Sequence, residues 1–455
     1  MATAQSAQDV QPSLLLRLQD ARARTDALFE LLPPNSFYQR PIAERHRLIF
    51  YLGHLDAFDA NLLNDALGLP SLDSEFDKLF AFGIDPVGGK LPADAPGDWP
   101  NIAQVEKYNR ETRHRLDHAL QAVGAGEKHR AALSQGEGLA GGALLQVAIE
   151  HRLMHAETLA YLLHNLPLER KIPQPRTPAD FTPAPKPRQV TIPPGVATLG
   201  QRRGEGSFGW DNEFEEQQNT VPSFSIGVFP VTNHKYLAFV RAGGYEESSY
   251  WRLEDWEWRR AQRLEHPHFW VPRSSSPASD PDMSWEYRTM FGIIPLPPSW
   301  PVYVSYAEAS AFARWAGKKL PTEAQWHRAA YGTAGDGERM HPWGDFSPGT
   351  AHGNFHHQRW DAAPVNAHPS GGSAFGVHDL LGNGWEWTQT SFAPLPGFEP
   401  FPFYRGYSAD FFDGKHFVLK GGSPRTDACM LRRSFRNWFQ PHYPYIYTTF
   451  RCVEE

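Results

Sequence analysis

Apolar residues recur three and four positions apart in four stretches of the first 170 residues. These are SLLLRLQDARARTDALFELL (13–32), RHRLIFYLGHLDAFDANLLNDALG (45–68), NIAQVEKYNRETRHRLDHALQAV (101–123) and GALLQVAIEHRLMHAETLAYLLHNL (142–166). A period near 3.6 predicts helices with one apolar face each, and four such helices predict an up-and-down bundle. Between the second and third, residues 70–100 form a connection rich in Gly, Pro and Asp. Loops of this length in compact proteins are often functional. Six prolines in residues 171–190 then predict a stiff, extended linker. Beyond it the period changes. Short β-like runs alternate with Gly, Pro and Asn turns, and one helix stands out, YAEASAFARWAG (306–317). The pattern therefore predicts an α+β multidomain chain: a helical domain over 1–170, a linker over 171–190 and an irregular, aromatic-rich domain over 191–455.

Composition narrows the function classes. A length of 455 residues suits two or three domains, and 41% hydrophobic content supports full cores. A formal charge of −7 and a pI near 6.3 argue against nucleic acid as a partner. With no run of 18 apolar residues, no membrane partner is expected. The start of the chain, MATAQSAQDVQPS, is polar and lacks a secretory pattern, so a cytoplasmic location is expected. Two cysteines, Cys429 and Cys452, exclude a disulfide framework or a thiolate metal cluster, and both are expected to be buried structural thiols.

The chemistry concentrates in AIEHRLMHAETLAYLLH. His151 and His155 are four apart and share one helix face, where two imidazoles can grip one metal ion. In a chain with 20 histidines such a pair alone is weak evidence. A third histidine, His54, lies in the second apolar helix. If the two helices pack together, three imidazoles converge and leave coordination positions open.

The second half carries ordered motifs: FGWDNE (208–213), FPVTNHKYLAFV (229–240), WPVYVSYAEASAFARWAGKKLPTEAQWHRAAYG (300–332), PWGD (342–345), LLGNGWEWT (380–388), VLKGGS (418–423), FRNWF (435–439) and FRC (450–452). This order resembles the formylglycine-generating-enzyme-like domain, a C-type-lectin-related fold. Formylglycine-generating enzymes use cysteines to bind copper, and with only Cys429 and Cys452 that activity is not expected here. Joined to a DinB-like four-helix bundle, the domain resembles instead the ergothioneine-type sulfoxide synthases. That resemblance implies an Fe(II) centre held by His54, His151 and His155 between the two domains. It also implies O2 as co-substrate, and attack on imidazole C2 of hercynine, the trimethylated betaine of histidine. In FEPFPFYRGYSADFF (398–412), Tyr404 is the better match to the family's catalytic tyrosine, which donates a proton or hydrogen atom. Tyr407 is the alternate or a substrate contact. Asn437 and Trp438 match the betaine pocket, where an aromatic face suits a quaternary ammonium.

Three positions depart from the mycobacterial branch of the family. Met154 stands where that branch has a Gln before the third histidine. Phe439 stands where it has an acid that helps bind γ-glutamylcysteine. No arginine occurs between Arg47 and Arg110, where it carries arginines for the donor's carboxylates. Those losses disfavour γ-glutamylcysteine. A selenosugar, as used by the selenoneine synthases, and free cysteine both remain, with the sugar favoured. Arg405, Arg425 or Arg433 could serve an amino-acid donor. The competing classes are a lectin-like binding module without catalysis and a DinB-like zinc or nickel hydrolase or thiol transferase.

Overall fold

The computed structural model describes residues 13–81, 93–124, 142–204, 208–273, 284–335 and 337–454. The polar start of the chain (1–12) and the centre of the long connection (82–92) lie outside the described residues. The chain divides into two compact units, Met1–Leu159 and Ala160–Glu455, and the architecture is α+β. No described helix is long and apolar enough to cross a membrane.

The first unit contains α1 (Leu14–Phe29), α2 (Leu48–Leu67), a short α3 (Ser74–Leu79), α4 (Ile102–Gly124) and the greater part of α5 (Ala143–Asn165). Local signals set the ends. The Ser13 hydroxyl accepts from Leu16 N–H at the start of α1, and Gly68 closes α2 in the left-handed region at φ 66°. The four long helices are those that the apolar periodicity predicts. Helix α3 lies inside the stretch read as loop. Asp73 caps it, accepting from Glu75 and Phe76 N–H. The end of the same connection is also pinned. Asp94 accepts from Arg47 Nε at 2.8 Å and Trp99 Nε1 at 2.7 Å and pairs with Arg40.

Charge, as well as apolar contact, locks this unit. Arg152 on α5 is wholly buried. Its Nη2 donates to Asp59 at 2.7 Å, Asp56 at 2.9 Å and the Leu55 carbonyl at 2.9 Å, all on α2. Arg113 of α4 bridges Asp56 and Asp26 of α1, and Arg22 of α1 pairs with Asp117 of α4 at 2.6 Å. One network, buried at Arg152, Asp56 and Asp59 and reaching the surface at Asp26, therefore ties all four long helices. Burial opposes ionisation at both carboxylates. The guanidinia still hold Asp56 below its ordinary range, whereas burial wins at Asp59 and pushes it up.

The second unit holds twelve short strands among the described residues: β1 (Gln189–Ile192), β2 (Gly195–Leu199), β3 (Gln217–Val221), β4 (Phe224–Gly227), β5 (Trp270–Pro272), β6 (Trp285–Thr289), β7 (Gly292–Pro295), β8 (Trp385–Ser391), β9 (Phe417–Lys420), β10 (Asn437–Phe439), β11 (Thr448–Thr449) and β12 (Val453–Glu454). They pair as β1-β4-β12, β10-β9-β8-β11, β2-β3 and β5-β6-β7. The helix expected over 306–317 is observed as Tyr306–Trp315, with a capping box between Ser305 and Glu308. Sequence periodicity missed Asn233–Arg241, Leu253–Gln262 and Glu323–Tyr331. These helices run nine or ten residues with charged and polar residues over much of their length, whereas the equally short Tyr306–Trp315 is marked out by its alternating alanines. Trp326, Tyr331, Leu380, Ile226 and Val453 meet in one core cluster. Arg451, from the closing FRC motif, is buried against Glu386 of the LLGNGWEWT motif with two contacts of 2.6 Å. The end of the chain is thereby tied to the central sheet.

Residues 171–190, read as an extended linker, have no helix or strand before Gln189, yet they are anchored. Lys171 Nζ donates to the Leu163 and Met290 carbonyls, and Trp300 Nε1 donates to Asp180 at 3.0 Å. Cys452 is buried, as expected, but Cys429 is only half-buried, because it sits in a short turn stabilised by Asp427.

Replacing Arg152 with Met would leave Asp56 and Asp59 buried without their main cation. Breaking a buried ion pair costs about 3–5 kcal/mol. The unfolding transition of the first unit, followed by circular dichroism in urea, is expected to shift down by that order while the second unit's transition stays.

Candidate functional site

The first unit brings together the three histidines singled out from the sequence. His54 comes from α2, and His151 and His155 from successive turns of α5. All three are buried, and one ligand nitrogen from each lies within 4.8 Å of the others. The ring centroids stand 4.5 Å apart for His151–His155, 4.9 Å for His54–His155 and 5.2 Å for His54–His151. Among the described residues no other group of three metal-ligating side chains converges in this way.

A glycine shapes the His54 end. A Cβ on Gly53 would stand 2.5 Å from the Phe80 ring, so only glycine lets Phe80, at the end of α3, approach α2 this closely. That approach delivers the Phe80 carbonyl to within 2.7 Å of His54 Nδ1. A carbonyl only accepts, so Nδ1 carries the proton and Nε2 carries the lone pair. Metal-ligating histidines are typically oriented by such an outer bond. Phe50 stacks on His54 at 4.9 Å and Phe58 on His151 at 3.4 Å, which restrains both rings.

Electrostatics keep the imidazoles neutral. Burial holds His54 down at about 4, with the Phe80 carbonyl opposing. Burial, reinforced by His155 and His54, holds His151 well below its ordinary value, and burial followed by His54 does the same for His155. His155 Nδ1 is buried with no hydrogen-bond partner among the described residues. Three neutral nitrogens and an unsatisfied polar atom, aggregated in an apolar interior, form a donor set that fits a first-row divalent cation. Met154 lies on α5 directly before His155 and is half-buried.

The second unit gathers the other residues picked from the sequence around an aromatic cluster. Tyr407 stacks on Trp210 at 3.9 Å, and Tyr404 lies 5.5 Å from Tyr407. Trp438 meets Tyr407 edge-on at 5.4 Å and stacks on Phe392 at 4.2 Å. Burial, then the charge of Asp211, pushes the Tyr404 phenol up to about 12. Strand alternation puts Asn437 and Phe439 on the face of β10 opposite Trp438. Asn437 Oδ1 accepts from Trp438 N–H at 2.9 Å, and the Phe439 ring packs on Tyr443 at 5.5 Å.

Among the arginines considered for an amino-acid donor, Arg433 pairs with Glu338 at 2.9 Å and the Arg425 guanidinium lies 4.1 Å over Trp360, whereas Arg405 is exposed. Sequence reading missed Arg152, Asp56 and Asp59, although charged residues set between apolar and histidine positions were a visible signal. Nothing in the sequence marks the Phe80 carbonyl.

Comparison with known proteins follows the same division. Residues 175–455 match the sulfatase-modifying factor enzyme 1-like domain, and residues 17–159 match the DinB superfamily. A hercynine oxygenase of Mycobacterium tuberculosis is 39% identical over 258 residues, covering 56% of this chain and 58% of the relative. Ergothioneine biosynthesis protein 1 of Neurospora crassa is 27% identical over 510 residues, covering 94% of this chain and 56% of the relative. A formylglycine-generating enzyme of Streptomyces coelicolor is 32% identical over 250 residues, covering 49% of this chain and 76% of the relative. The chain thus spans somewhat over half the length of the first two.

Gly53→Ala is expected to push Phe80 away and release the His54 ring. Anaerobic titration with Co(II) or Fe(II), read by ligand-field absorbance and by competition with a chelator, should show metal affinity down about 10–100-fold, the range for a lost outer-shell partner. His54→Ala should exceed that range.

Proposed function

The chain belongs to the sulfatase-modifying factor enzyme 1-like family and, with a DinB-type bundle ahead of that domain, to the ergothioneine-type sulfoxide synthases, and on that premise we propose that it is a non-heme iron enzyme joining a chalcogen to imidazole C2 of hercynine. The convergence of His54, His151 and His155 carries this reading. A binding module has no use for three buried neutral imidazoles, which are costly to gather without an ion. Fe(II) held by these three nitrogens would supply the redox chemistry with O2 and leave positions for a chalcogen donor. The hercynine oxygenase and ergothioneine-biosynthesis names of the relatives support iron and O2 over a zinc or nickel hydrolase.

The protein's own groups have separable roles in this reading. The Phe80 carbonyl keeps the proton on His54 Nδ1, so Nε2 stays a ligand. Tyr404 serves as the proton donor, because a phenol held near 12 stays protonated throughout the working pH range. Tyr407 orients it and lines the substrate space. Trp438 offers an aromatic face to the trimethylammonium group, a cation that cannot donate an ordinary N–H bond, whereas Asn437, on the other face of the strand, accepts from the Trp438 N–H and braces the backbone there.

For the donor we favour a selenosugar, with cysteine as the alternative and γ-glutamylcysteine behind both. A sugar presents hydroxyls, whereas an amino-acid donor needs a cation for its carboxylate. Near the aromatic cluster the arginines are engaged: Arg432 with Glu213, Arg433 with Glu338 and Arg436 with Glu323. Exposed Arg405 is the side chain on which the cysteine alternative depends.

The test is anaerobic loading with Fe(II), then hercynine and O2 with cysteine, γ-glutamylcysteine and a selenosugar in parallel, products read by mass spectrometry. A selenium-bearing hercynine adduct from the sugar is expected. A sulfoxide from cysteine alone would transfer the chain to the cysteine-using branch. Iron bound with no adduct from any donor would reject the hercynine reading.

A further inference from the structure

The second unit holds a carboxylate to which no role has been given above. Asp211, in the FGWDNE motif, is wholly buried. Removing a carboxylate from water is costly unless its oxygens are hydrogen-bonded. Here the bonds come largely from one neighbouring segment. Ser408 Oγ donates to Asp211 Oδ1 at 2.6 Å, and backbone N–H groups of Phe401 and Asn212 also donate to the carboxylate. Phe401 and Ser408 stand on either side of Tyr404 and Tyr407 in the chain. The residue before Asp211 adds a second grip: Trp210 lies against Tyr407 at 3.9 Å with the planes 24° apart, and its ring is 6.5 Å from that of Tyr404.

We propose that Asp211 is a positioning residue for the proposed reaction. Through Ser408 and Phe401 it fixes the segment that carries Tyr404 and so holds the phenol in place. The role of Tyr404 rests on the function proposed above; the clamp rests on geometry alone. Two further observations agree. Asp211 is, after burial, the group that raises the Tyr404 phenol. The carboxyl itself, pushed up by burial to about 6 and drawn back by Ser408 and the backbone, is still ionised at neutral pH. Glu213, which adds repulsion from the same turn, is itself held by Arg432 and Ser434. The hydrogen-bond partners of Asp211 are thus a hydroxyl and backbone N–H groups rather than a cation.

The experiment compares full-length wild type, Asp211→Asn, Ser408→Ala and Tyr404→Phe. The ultraviolet titration of phenolate, with Tyr404 isolated by subtracting Tyr404→Phe, reads the clamp without any metal or turnover. In Asp211→Asn the Tyr404 transition should fall below about 12 but stay above the ordinary phenol value of about 10, because burial, the larger cause, remains. In Ser408→Ala the loosened segment should admit water and lower it as well. With iron, O2, hercynine and the chalcogen donor that supports turnover, kcat should drop about 100-fold in both variants while KM for hercynine changes little, the signature of lost alignment rather than lost binding. A folded Asp211→Asn, judged by its melting curve, with an unmoved Tyr404 transition would overturn the proposal. If Asp211→Asn does not fold, Ser408→Ala decides: an unmoved transition overturns the proposal, and a lowered one supports it. A wild type that turns over no hercynine would reject the proposed function, and the titration would still decide on the clamp.

Discussion

A buried guanidinium governs the first unit. Arg152 sits between the two histidines of α5 in sequence, and its donors reach Leu55, Asp56 and Asp59 on α2, immediately beyond His54. The same contact that joins the helices therefore fixes the register of the three imidazoles. A slip of one turn would move α5 by about 5.4 Å along α2. It would strand Arg152 among apolar side chains and carry His151 and His155 out of reach of His54. Apolar packing alone tolerates repacking at modest cost. A buried ion cluster does not, because a displaced member pays its full desolvation. The network thus contributes less to net stability than to the choice of one helix register, and a metal site needs that choice.

The second unit follows another logic. Its charges are spent on structure: Arg451 on Glu386, Arg436 on Glu323, Arg432 on Glu213. Around Tyr404 and Trp438 lie mostly rings, with the buried Asp211 carboxylate beside Tyr404. On the reading proposed above, such rings would distinguish ligands by shape and by soft cationic charge rather than by carboxylates.

Much of this was legible in the residues. Four helices announced themselves because each is long enough to show its apolar stripe, and the His151/His155 pair was visible because i and i+4 share a face. The linear text was silent where structure depends on backbone or on short elements. The Phe80 carbonyl that orients His54 belongs to no side chain, and helix α3, which delivers it, is six residues long. The helices at Asn233–Arg241 and Glu323–Tyr331 were missed because charged and polar residues cover much of their length, although Thr322 and Gln325 form a capping box that spells out the start of the second. The neighbours Asn437 and Trp438, grouped by motif, point to opposite faces because a strand alternates.

The departures from the mycobacterial pattern acquire a physical sense when set against these two logics. Met154 replaces a hydrogen-bonding amide beside the third histidine with a polarizable thioether, and Phe439 replaces an acid with a ring that packs on Tyr443. On the resemblance, the first change falls beside the substrate imidazole and the second removes an acid expected to help bind an amino-acid donor, and neither leaves a buried charge unpaired. Arg40 and Arg47 flank the long connection and are already committed to Asp94, so freeing either to receive a donor carboxylate would unpin that connection. A donor rich in hydroxyl groups asks for none of these adjustments. On the reading proposed above, the three histidines keep the metal site, while the charges expected for a peptide-like donor are absent, engaged with Asp94 or, at Arg405, exposed.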